Sequence, residues 1–385
     1  MSKVYLSLIW FISLSGFAQF QIGHVATTFT DPARSNRTIP VEIYYPADTG
    51  GNDAAIASAG GQFPLLCFGH GFVMGWDAYE NLWTALVPKG YIMVFPKTEG
   101  GILPSHAAFA ADLAFVIKRF NQLNDDNTSV FYQRVSAANA VMGHSMGGGA
   151  AVLAIDGNPE ITALAVLAAA ETNPSAINAA SNVIIPAFIV AGANDCVAPP
   201  AANQLAVYDA LASGCKTYIS ITGGSHCQMA NSNFFCSFGE STCSPSAVIT
   251  TAQQHAVLDS YLEKWLDATL KNDCAAGSAF DSQIVTDSNI TYEKTCLQCP
   301  PLSVSAATIM AFSVGPNPFS NYVDISISTT DQMEFVLTNL LGEIVINEKI
   351  TGRKRMDTSD LKQGIYLYSL MHSGQRFRSG KLIKQ

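Results

Sequence analysis

The residue with the clearest chemical meaning is Ser145, which stands in the middle of a Gly-His-Ser-Met-Gly motif. The motif follows the apolar run Ala138–Met142 and precedes the small-residue segment Gly148–Ile155, a pattern that predicts a strand, a sharp turn and a helix. Glycines permit such a tight turn because they place no Cβ where two backbones approach closely. We therefore predict that Ser145 is a nucleophile presented at the carboxyl edge of a sheet.

A serine hydroxyl needs a histidine to remove its proton, and in a strand–turn–helix site this histidine follows the serine in the chain. Three histidines follow Ser145: His226, His255 and His372. His226 lies in a Gly-Gly-Ser-His turn directly after the apolar run Tyr218–Ile221, where a strand end presents it. His255 falls within a helical pattern and His372 within a C-terminal β region. His226 is therefore the predicted general base.

The carboxylate that orients the histidine should come from another strand end between these two residues. Asp195 fits, because it follows the apolar run Pro186–Ala191 after a short Gly-Ala-Asn turn. Glu171, just past the apolar run Ala163–Leu167, is the second choice. Asp156 is a further rival at the end of the helix after the nucleophile.

Acyl transfer also needs two backbone N–H groups that bind the oxygen on which negative charge develops. The residue after the nucleophile, Met146, supplies one of them. Residues 69–72 form a Gly-His-Gly-Phe loop after an early apolar run, and we expect Phe72 to supply the second N–H and to offer its ring to the acyl group. His70 precedes Ser145 in the chain, so we interpret it as a residue that shapes this loop.

From residue 64 to residue 270, short apolar runs alternate with helix-length segments. This alternation predicts an α/β fold, with a mostly parallel sheet covered by helices on both faces and a site at the carboxyl ends of its strands. The apolar runs are Pro64–Phe68, Tyr91–Phe95, Ala138–Met142, Ala163–Leu167, Pro186–Ala191 and Tyr218–Ile221. The helix-length segments lie near 76–88, 105–122, 147–156, 201–213 and 248–270.

Charge divides the 385-residue chain into two parts. Residues 310–385 hold 9 basic and 7 acidic residues, whereas the remainder holds 12 and 23, so we expect a domain boundary near residue 305. The shorter part alternates like a set of strands, which predicts a small β-sandwich at 313–385 after a linker at 301–312. The net charge of −9 argues against nucleic acid as a partner, since a polyanion requires a basic surface.

The N-terminus has the pattern of a secretory signal peptide. Lys3 precedes the apolar run Val4–Leu14, and the small residues Gly16 and Ala18 suit cleavage after residue 18. The run is too short for a stable membrane anchor. We therefore expect a signal peptide at 1–18 and a catalytic domain at 19–300.

Nine cysteines remain after that cleavage, and in an exported protein they indicate disulfides with one thiol left over. Cys67 lies in an apolar run, so we expect it to be the free and buried one. The Cys-x-x-Cys pair at 296 and 299 has no second pair at ligand spacing, so we expect no metal site.

Cys196 and Cys227 directly follow the predicted acid and base, so a Cys196–Cys227 disulfide is expected to join the two loops. A Cys236–Cys243 disulfide is then expected to close a local loop. In the alternative pairing, Cys227 bonds to Cys236 or Cys243. The remaining cysteines pair among themselves in an order that the sequence leaves open: Cys215, Cys274, Cys296 and Cys299.

Residues 64–227 resemble the bacterial polyester hydrolases, the cutinase-like and poly(ethylene terephthalate)-hydrolase group of α/β-hydrolases. The resemblance is carried by the aromatic residue after Gly71, the Gly-His-Ser-Met-Gly-Gly-Gly elbow, the Asn-Asp loop with its following Ala-Pro, and the Gly-Gly-Ser-His turn. It extends over about residues 25–300 and implies the α/β-hydrolase fold. It also implies a triad and two oxyanion donors, which are Ser145, Asp195, His226, Phe72 and Met146.

The chain departs from this group at one position. Such polyesterases usually carry a tryptophan after the strand that follows the nucleophile helix, where it clamps an aromatic ring. Here residues 168–174 read Ala-Ala-Ala-Glu-Thr-Asn-Pro, and Glu171 or a neighbour takes that place. The departure weakens the expectation of aromatic-polyester specificity and leaves ester hydrolysis untouched. Trp76 either provides a substitute wall for the substrate or belongs to the core.

The C-terminal region resembles the sorting domain of type IX secretion. The resemblance is carried by Gly-Pro-Asn-Pro-Phe at 315–319, Asp-Leu-Lys-Gln-Gly-Ile-Tyr at 360–366 and the basic ending Lys-Leu-Ile-Lys-Gln. It implies export through the periplasm and outer membrane, followed by release or attachment at the cell surface. The alternative is a generic β-sandwich binding module.

These patterns predict a secreted serine esterase that cleaves acyl esters or polyesters through an acyl-enzyme on Ser145. A lipase-like or acetylhydrolase-like enzyme for small soluble or lipid esters is the alternative among hydrolases. A non-catalytic surface-binding protein on a hydrolase fold is the alternative from another class. We expect a monomer without a cofactor, whose partners are an ester substrate and the type IX secretion machinery.

Overall fold

The computed structural model describes residues 19–298, 312–328, 332–372 and 375–385. The chain separates into two compact units, Met1–Pro300 and Pro301–Gln385. The predicted signal peptide, Cys299 and all but the last residue of the predicted linker lie outside the described residues.

The first unit is built on strands that are short and apolar in its centre and longer at one side. Their bounds are β1 (Gln21–Asp31), β2 (Arg37–Ala47), β3 (Gly51–Asn52), β4 (Phe63–Gly69), β5 (Ile92–Pro96), β6 (Val135–His144), β7 (Leu164–Leu167), β8 (Ala187–Gly192), β9 (Lys216–Ile221) and β10 (Ile290–Lys294). They form one ten-stranded sheet in the order β10-β9-β8-β7-β6-β4-β5-β2-β1-β3. The six strands from β9 to β5 in this order are parallel, which confirms the predicted mostly parallel sheet.

The connections between strands are mainly helical. The helices are α1 (Glu80–Leu86), α2 (His106–Asp125), α3 (Met146–Leu153), α4 (Ala176–Ala180), α5 (Gln204–Ala210), α6 (Phe234–Glu240), α7 (Thr251–Leu270) and α8 (Cys274–Ile284). The described chain adds short 3-10 turns at Pro32–Arg34, Trp76–Tyr79, Val87–Lys89, Pro200–Ala202 and Cys227–Met229. None of the helices in the described ranges is both long and apolar enough to cross a membrane.

Two apolar cores lie on opposite faces of the sheet, because successive side chains of a strand point in opposite directions. In β4, Cys67 packs into the core that also contains buried residues of α2, α3, α4 and α5. Its neighbours Leu66 and Phe68 pack into the other core, which contains buried residues of α1, α7 and α8. Helices therefore cover the sheet on both faces, as the sequence predicts for an α/β fold.

The region after Lys271 contains a helix and a strand that the sequence analysis did not predict. Asp273 caps α8 by accepting hydrogen bonds from two backbone N–H groups, and the helix buries Gly277, Phe280 and Ile284 on one side. Strand β10 then pairs antiparallel with β9 and completes that edge of the sheet. Its pattern is polar because only Ile290 is buried, so it lacks the apolar run that marks the central strands.

The second unit is an antiparallel β domain. Its strands are β11 (Phe312–Gly315), β12 (Tyr322–Ile327), β13 (Met333–Thr338), β14 (Ile344–Ile350), β15 (Arg353–Asp357), β16 (Gly364–His372) and β17 (Gln375–Lys384). They form a three-stranded sheet, β11-β12-β15, and a four-stranded sheet, β14-β13-β16-β17. Alternate residues of β12 and β13 enter one shared core, which is the arrangement expected when two sheets bury one face each.

Candidate active site

Ser145 lies at the turn between β6 and α3 in a strained backbone conformation, with φ of 53° and ψ of −122°. A Cβ on Gly143 would clash with the backbone of Gly147, and a Cβ on Gly147 would clash with the carbonyl group of Gly69. Both glycines are therefore required by close backbone approach. The sharp turn between β6 and α3 is the strand–turn–helix geometry that the Gly-His-Ser-Met-Gly motif predicts, and we call it the elbow.

Backbone hydrogen bonds hold the elbow against the end of β7. The Ser145 N–H donates to the Leu167 carbonyl at 3.0 Å, and the Ser145 carbonyl accepts from Ala170 at 2.9 Å and from Gly149 at 3.1 Å. The Ser145 side chain is largely enclosed, with 8% of the residue exposed. Hydrogen bonds of its main chain thus fix the position of the serine.

Asp195 and His226 meet as the sequence predicts. Asp195 follows the end of β8, His226 follows the end of β9, and His226 Nδ1 lies 2.7 Å from Asp195 Oδ2. The other carboxylate oxygen accepts a hydrogen bond from the backbone N–H of Ala198 at 2.8 Å. Both side chains are almost completely buried. A buried carboxylate in this position favours the imidazole tautomer with its proton on Nδ1, which leaves Nε2 free to accept a proton.

The competing residues are occupied elsewhere. Glu171 is exposed, and its carboxylate accepts a hydrogen bond from the backbone N–H of Ile177 at the start of α4. Asp156 lies in the exposed turn beyond α3. His255 contacts the carbonyl of Ala230. His372 belongs to β16 in the second unit.

His144, between the first glycine and the serine of the motif, is a fully buried residue that the sequence analysis did not single out. Its ring lies 4.7 Å from the His226 ring, centre to centre, and its Nε2 lies 3.2 Å from the His226 carbonyl oxygen. This contact places the elbow directly beside the base loop. Burial, and secondly the nearby His226, lower the pKa of His144 well below its usual value, so the ring is neutral at neutral pH.

A chain of hydrogen bonds continues from His144 to the loop that contains Phe72. The Tyr79 hydroxyl lies 2.9 Å from His144 Nδ1, and it accepts a hydrogen bond from the Gly71 N–H at 2.8 Å. A neutral His144 that donates from Nε2 to the His226 carbonyl accepts from Tyr79 at Nδ1, so every donor in the chain has an acceptor. Tyr79 is completely buried. No local motif marks it, because its role depends on contacts distant in sequence.

The two predicted oxyanion donors lie on elements that suit this role. Met146 begins α3, and the first N–H groups of a helix have no acceptor within the helix. Phe72 follows Gly71, whose N–H donates a hydrogen bond to the Tyr79 hydroxyl. Phe72 is 48% exposed. The participation of both residues in catalysis remains a prediction.

His70 and Trp76 lie beside this loop in different surroundings. The two ring nitrogens of His70 face the carbonyl groups of Gly71 and Thr98, both at 2.9 Å, so the ring connects the loop with the end of β5. Trp76 is half-buried and packs against an aromatic cluster that includes Tyr44 and Trp83. Within the described ranges, no group of three or more His, Cys, Asp or Glu residues is arranged to hold a metal ion.

The predicted pairing of Cys196 with Cys227, and of Cys236 with Cys243, is wrong. The structure joins Cys196 to Cys243 and Cys227 to Cys236, with Cα separations of 5.4 and 5.6 Å. The alternative in which Cys227 bonds to Cys236 is therefore the one found.

The path of the chain after His226 explains the observed pairing. Asp195 and His226 meet through their side chains, but after His226 the chain turns into the 3-10 helix Cys227–Met229. Having passed through α6, the chain returns to the acid loop, where the Asn194 side chain donates to the Ser246 carbonyl at 2.7 Å. That return brings Cys243, and not Cys227, beside Cys196.

The sequence left open how Cys215, Cys274, Cys296 and Cys299 pair among themselves, and the described cysteines of this group are consistent with such pairing. Cys215 is bonded to Cys296, because antiparallel pairing of β10 with β9 places Lys294 opposite Thr217. Cys274 is also disulfide-bonded. Cys67 is free and buried, as predicted.

Comparison with protein families agrees with this geometry. A family model described as PET hydrolase-like matches residues 34–242, which is more than half of the chain. The chain belongs to the PET hydrolase-like family. A second model, described as a secretion system C-terminal sorting domain, matches residues 313–385. A search of curated protein sequences gives no match.

These matches establish the general character of the protein. It is a hydrolase of the PET hydrolase-like family, and its C-terminal unit is a type IX sorting domain. Such a domain directs export, so the protein is secreted or attached to the cell surface and engages the type IX secretion machinery.

Proposed function

We propose that this PET hydrolase-like protein is a serine esterase that cleaves acyl esters, including polyesters, through an acyl-enzyme. In this proposal Ser145 is the nucleophile, His226 is the general acid and base, and Asp195 orients the histidine. Phe72 and Met146 donate the backbone N–H groups of the oxyanion hole. Residues 19–300 then form the catalytic domain, joined by a linker at 301–312 to the sorting domain.

The observation that supports this proposal most strongly is the buried 2.7 Å contact between His226 and Asp195 beside a strained serine elbow. A buried carboxylate is costly unless it is paired and hydrogen-bonded, and here both of its oxygens have partners. A strained backbone costs free energy and occurs mainly at functional sites. The strained serine close to this pair therefore supports a catalytic role better than a purely structural one.

The reaction follows from the positions of these groups. Ser145 Oγ attacks the ester carbonyl carbon while its proton passes to His226 Nε2, and the two N–H groups stabilise the oxyanion. The carbon–oxygen bond to the alcohol then breaks, and His226 returns the proton to that alcohol. A water molecule attacks the acyl carbon and gives its proton to His226. The acid is released as Ser145 Oγ takes the proton back.

The substrate side of the site is open to two chemistries. Residues 168–174, which follow β7 beside the elbow, contain no aromatic side chain, although Phe72 exposes its ring nearby in the proposed oxyanion loop. A panel of soluble esters from acetate to long-chain acyl groups, together with a polyester film, distinguishes a polyesterase from an esterase for small or lipid esters. Turnover of the film by the wild-type protein supports the polyesterase.

A fluorophosphonate probe tests the catalytic assignment, because only an activated serine reacts with it. We expect wild-type protein to be labelled and Ser145→Ala to lose both labelling and ester turnover, the latter by about 10³-fold or more. Ser225→Ala is the matched control, since Ser225 is buried directly before His226. Labelling of Ser145→Ala, or absence of labelling in the wild type, would overturn the proposal.

A further inference from the structure

Helix α6 exposes three phenylalanine side chains in a group. Phe234 is 77% exposed, Phe235 is 58% exposed and Phe238 is 73% exposed. Their rings contact one another, with centroid separations of 5.5 Å between Phe234 and Phe235 and 6.5 Å between Phe234 and Phe238. Soluble proteins rarely expose clustered aromatic rings unless the cluster binds something.

The α6 segment, residues 227–243, is tied to the loops that bear the proposed acid and base. The Cys196–Cys243 disulfide starts one residue after Asp195, and the Cys227–Cys236 disulfide starts one residue after His226. Helix α6 itself contributes no buried residue. Within α6, Cys236 packs partly buried against the core that contains buried residues of α7. The two disulfides attach the helix with its three rings to the loops that follow β8 and β9.

The segment is also almost without charge. Residues 228–250 include a single charged residue, Glu240, and its carboxylate accepts a hydrogen bond from the Cys227 N–H at 3.1 Å. There is no lysine or arginine in this stretch, in a chain whose net charge is −9. Without a lysine or arginine, these residues would not attract an anionic partner. An uncharged apolar surface could bind here with little cost from burying charged groups.

We propose that the three rings of α6 form a docking surface for an uncharged, water-insoluble polyester, and that this surface holds the polymer beside Ser145. This inference rests on the proposed function and adds a binding surface to it. Apolar rings that leave water against a polymer gain free energy in proportion to the area buried. Because two disulfides hold the segment in place, little ordering is needed on binding.

The docking surface predicts a separation between polymers and soluble esters. In this proposal a soluble ester binds at Ser145 without contacting the α6 rings, so loss of the rings should leave its turnover unchanged. A solid polymer must first adsorb, so loss of the rings should reduce both adsorption and film hydrolysis. A residue that only stabilised the fold would affect both substrates alike.

The test uses full-length protein in a Ser145→Ala background, so that adsorption to an amorphous poly(ethylene terephthalate) film is measured without catalysis. The combined variant Phe234→Ser, Phe235→Ser, Phe238→Ser should lower the adsorption constant about tenfold or more. Phe238→Ser alone should give a smaller loss in the same direction. With Ser145 intact, the triple variant should retain soluble-ester kcat/KM within about twofold.

A matched control removes apolar side chains from the opposite edge of the sheet. Val130, Tyr132 and Ile184 are 60%, 40% and 74% exposed and precede the amino ends of β6 and β8. Changing all three to serine should leave adsorption unchanged. Equal loss in this control would show that general surface hydrophobicity, and not α6, determines adsorption, and would overturn the inference.

The remaining outcomes are also decisive. Unchanged adsorption of the α6 variant overturns the inference while leaving the esterase proposal intact, and failure of the wild type to hydrolyse any ester overturns the esterase alone. If the α6 variant abolishes a dimer seen in sedimentation, the surface binds a second copy instead. If it abolishes binding to phosphatidylcholine vesicles but not to film, the occupant is a lipid surface and the polyester is excluded.

Discussion

The elbow around Ser145 and the α6 segment both adjoin His226, and they are held in opposite ways. In the elbow, every residue from Gly143 to Ala151 is buried, and contacts between backbones fix its shape. In the α6 segment, the helix buries none of its residues, and two disulfides attach it to the protein. The elbow depends on Gly143 and Gly147, which have no side chain, whereas the α6 segment depends on two disulfides.

This difference separates the part of the site that must be exact from the part that is free to vary. In the proposed mechanism Ser145 is the nucleophile, and a nucleophile displaced by about 1 Å would react about 10²-fold more slowly. Close packing of backbones is therefore an appropriate means of fixing this residue. A docking surface needs apolar area more than exact positions, and two disulfides attach α6 although none of its residues is fully buried. Substitutions in the elbow should therefore greatly reduce the turnover of soluble esters. Substitutions in α6 should change that turnover little, unless they remove a cysteine.

Among substitutions that compare these two regions, Gly147→Ala should have the largest effect. Its Cβ would clash with the Gly69 carbonyl, so either β4 or the elbow must shift. We expect ester kcat/KM to fall by about 10²-fold or more, since the shift displaces Ser145. The measurement is steady-state turnover of a soluble ester, accompanied by near-UV circular dichroism to show that the variant is folded.

Gly239→Ala is the matched control within α6. A Cβ there meets nothing within 4 Å, and alanine is the better helix former by about 1 kcal/mol. Activity should stay at the wild-type level and stability should be equal or slightly higher. If Gly239→Ala were as harmful as Gly147→Ala, the contrast between the two regions would be disproved.

The next largest effect should be a loss of stability when either disulfide of the α6 segment is removed. The two disulfides close loops of very different length. Cys196 and Cys243 are 47 residues apart, and Cys227 and Cys236 are 9 apart. In the chain-entropy model the first bond stabilises by about 4 kcal/mol and the second by about 2.6 kcal/mol. Urea unfolding of the Cys196→Ser, Cys243→Ser and Cys227→Ser, Cys236→Ser double variants should show this order.

Peptide mapping of unreduced protein checks the connectivity itself. A fragment that joins Cys196 to Cys227 would restore the pairing expected from the sequence and contradict the structure. A larger loss of stability in the Cys227 and Cys236 variant would show that local strain, and not loop length, determines the contribution of these bonds.

The same contrast explains what the sequence predicts well. The elbow, and the loops that carry Asp195 and His226, follow from rules that act over a few neighbouring residues, such as a tight turn between an apolar strand and a helix. The pairing of Cys196 depends instead on where the chain returns after α6. Strand β10 was missed because it buries only Ile290 and so has no apolar run. Helix α8 was missed because only two large apolar side chains, Phe280 and Ile284, mark its buried side.

Tyr79 was missed because its partner His144 lies 65 residues away in the sequence, and loss of the Tyr79 hydroxyl should give a smaller but specific effect. In Tyr79→Phe the buried Gly71 N–H and His144 Nδ1 each lose a partner, at a cost of about 1–3 kcal/mol of stability. Because Gly71 precedes Phe72, we also expect kcat to fall about tenfold, with KM little changed.

Tyr45→Phe controls for the loss of a tyrosine hydroxyl away from the site. The Tyr45 hydroxyl donates to the Ala54 carbonyl, so that variant loses one hydrogen bond and should keep its kcat. Equal kcat values for both variants would show that the Tyr79 hydroxyl only stabilises the fold and does not position the oxyanion loop.

The smallest expected effect is a pH dependence of stability that originates at His144. Burial lowers its pKa in the folded state, whereas in the unfolded chain the imidazole titrates near its ordinary value of 6.5. As the pH falls below 6.5, the unfolded state binds a proton that the folded state does not, so the stability of the protein decreases. Between pH 7 and pH 5.5 this group should remove about 1 kcal/mol of unfolding free energy.

His144→Gln isolates this contribution, because glutamine can bridge the same partners but does not titrate. The difference in unfolding free energy between wild type and variant, measured in urea at each pH, should shift against the wild type by that amount as the pH falls. A difference that stays constant from pH 7 to pH 5.5 would mean that His144 accepts a proton in the folded elbow, and the hydrogen-bond chain from His226 to Gly71 would then need the opposite direction at Tyr79.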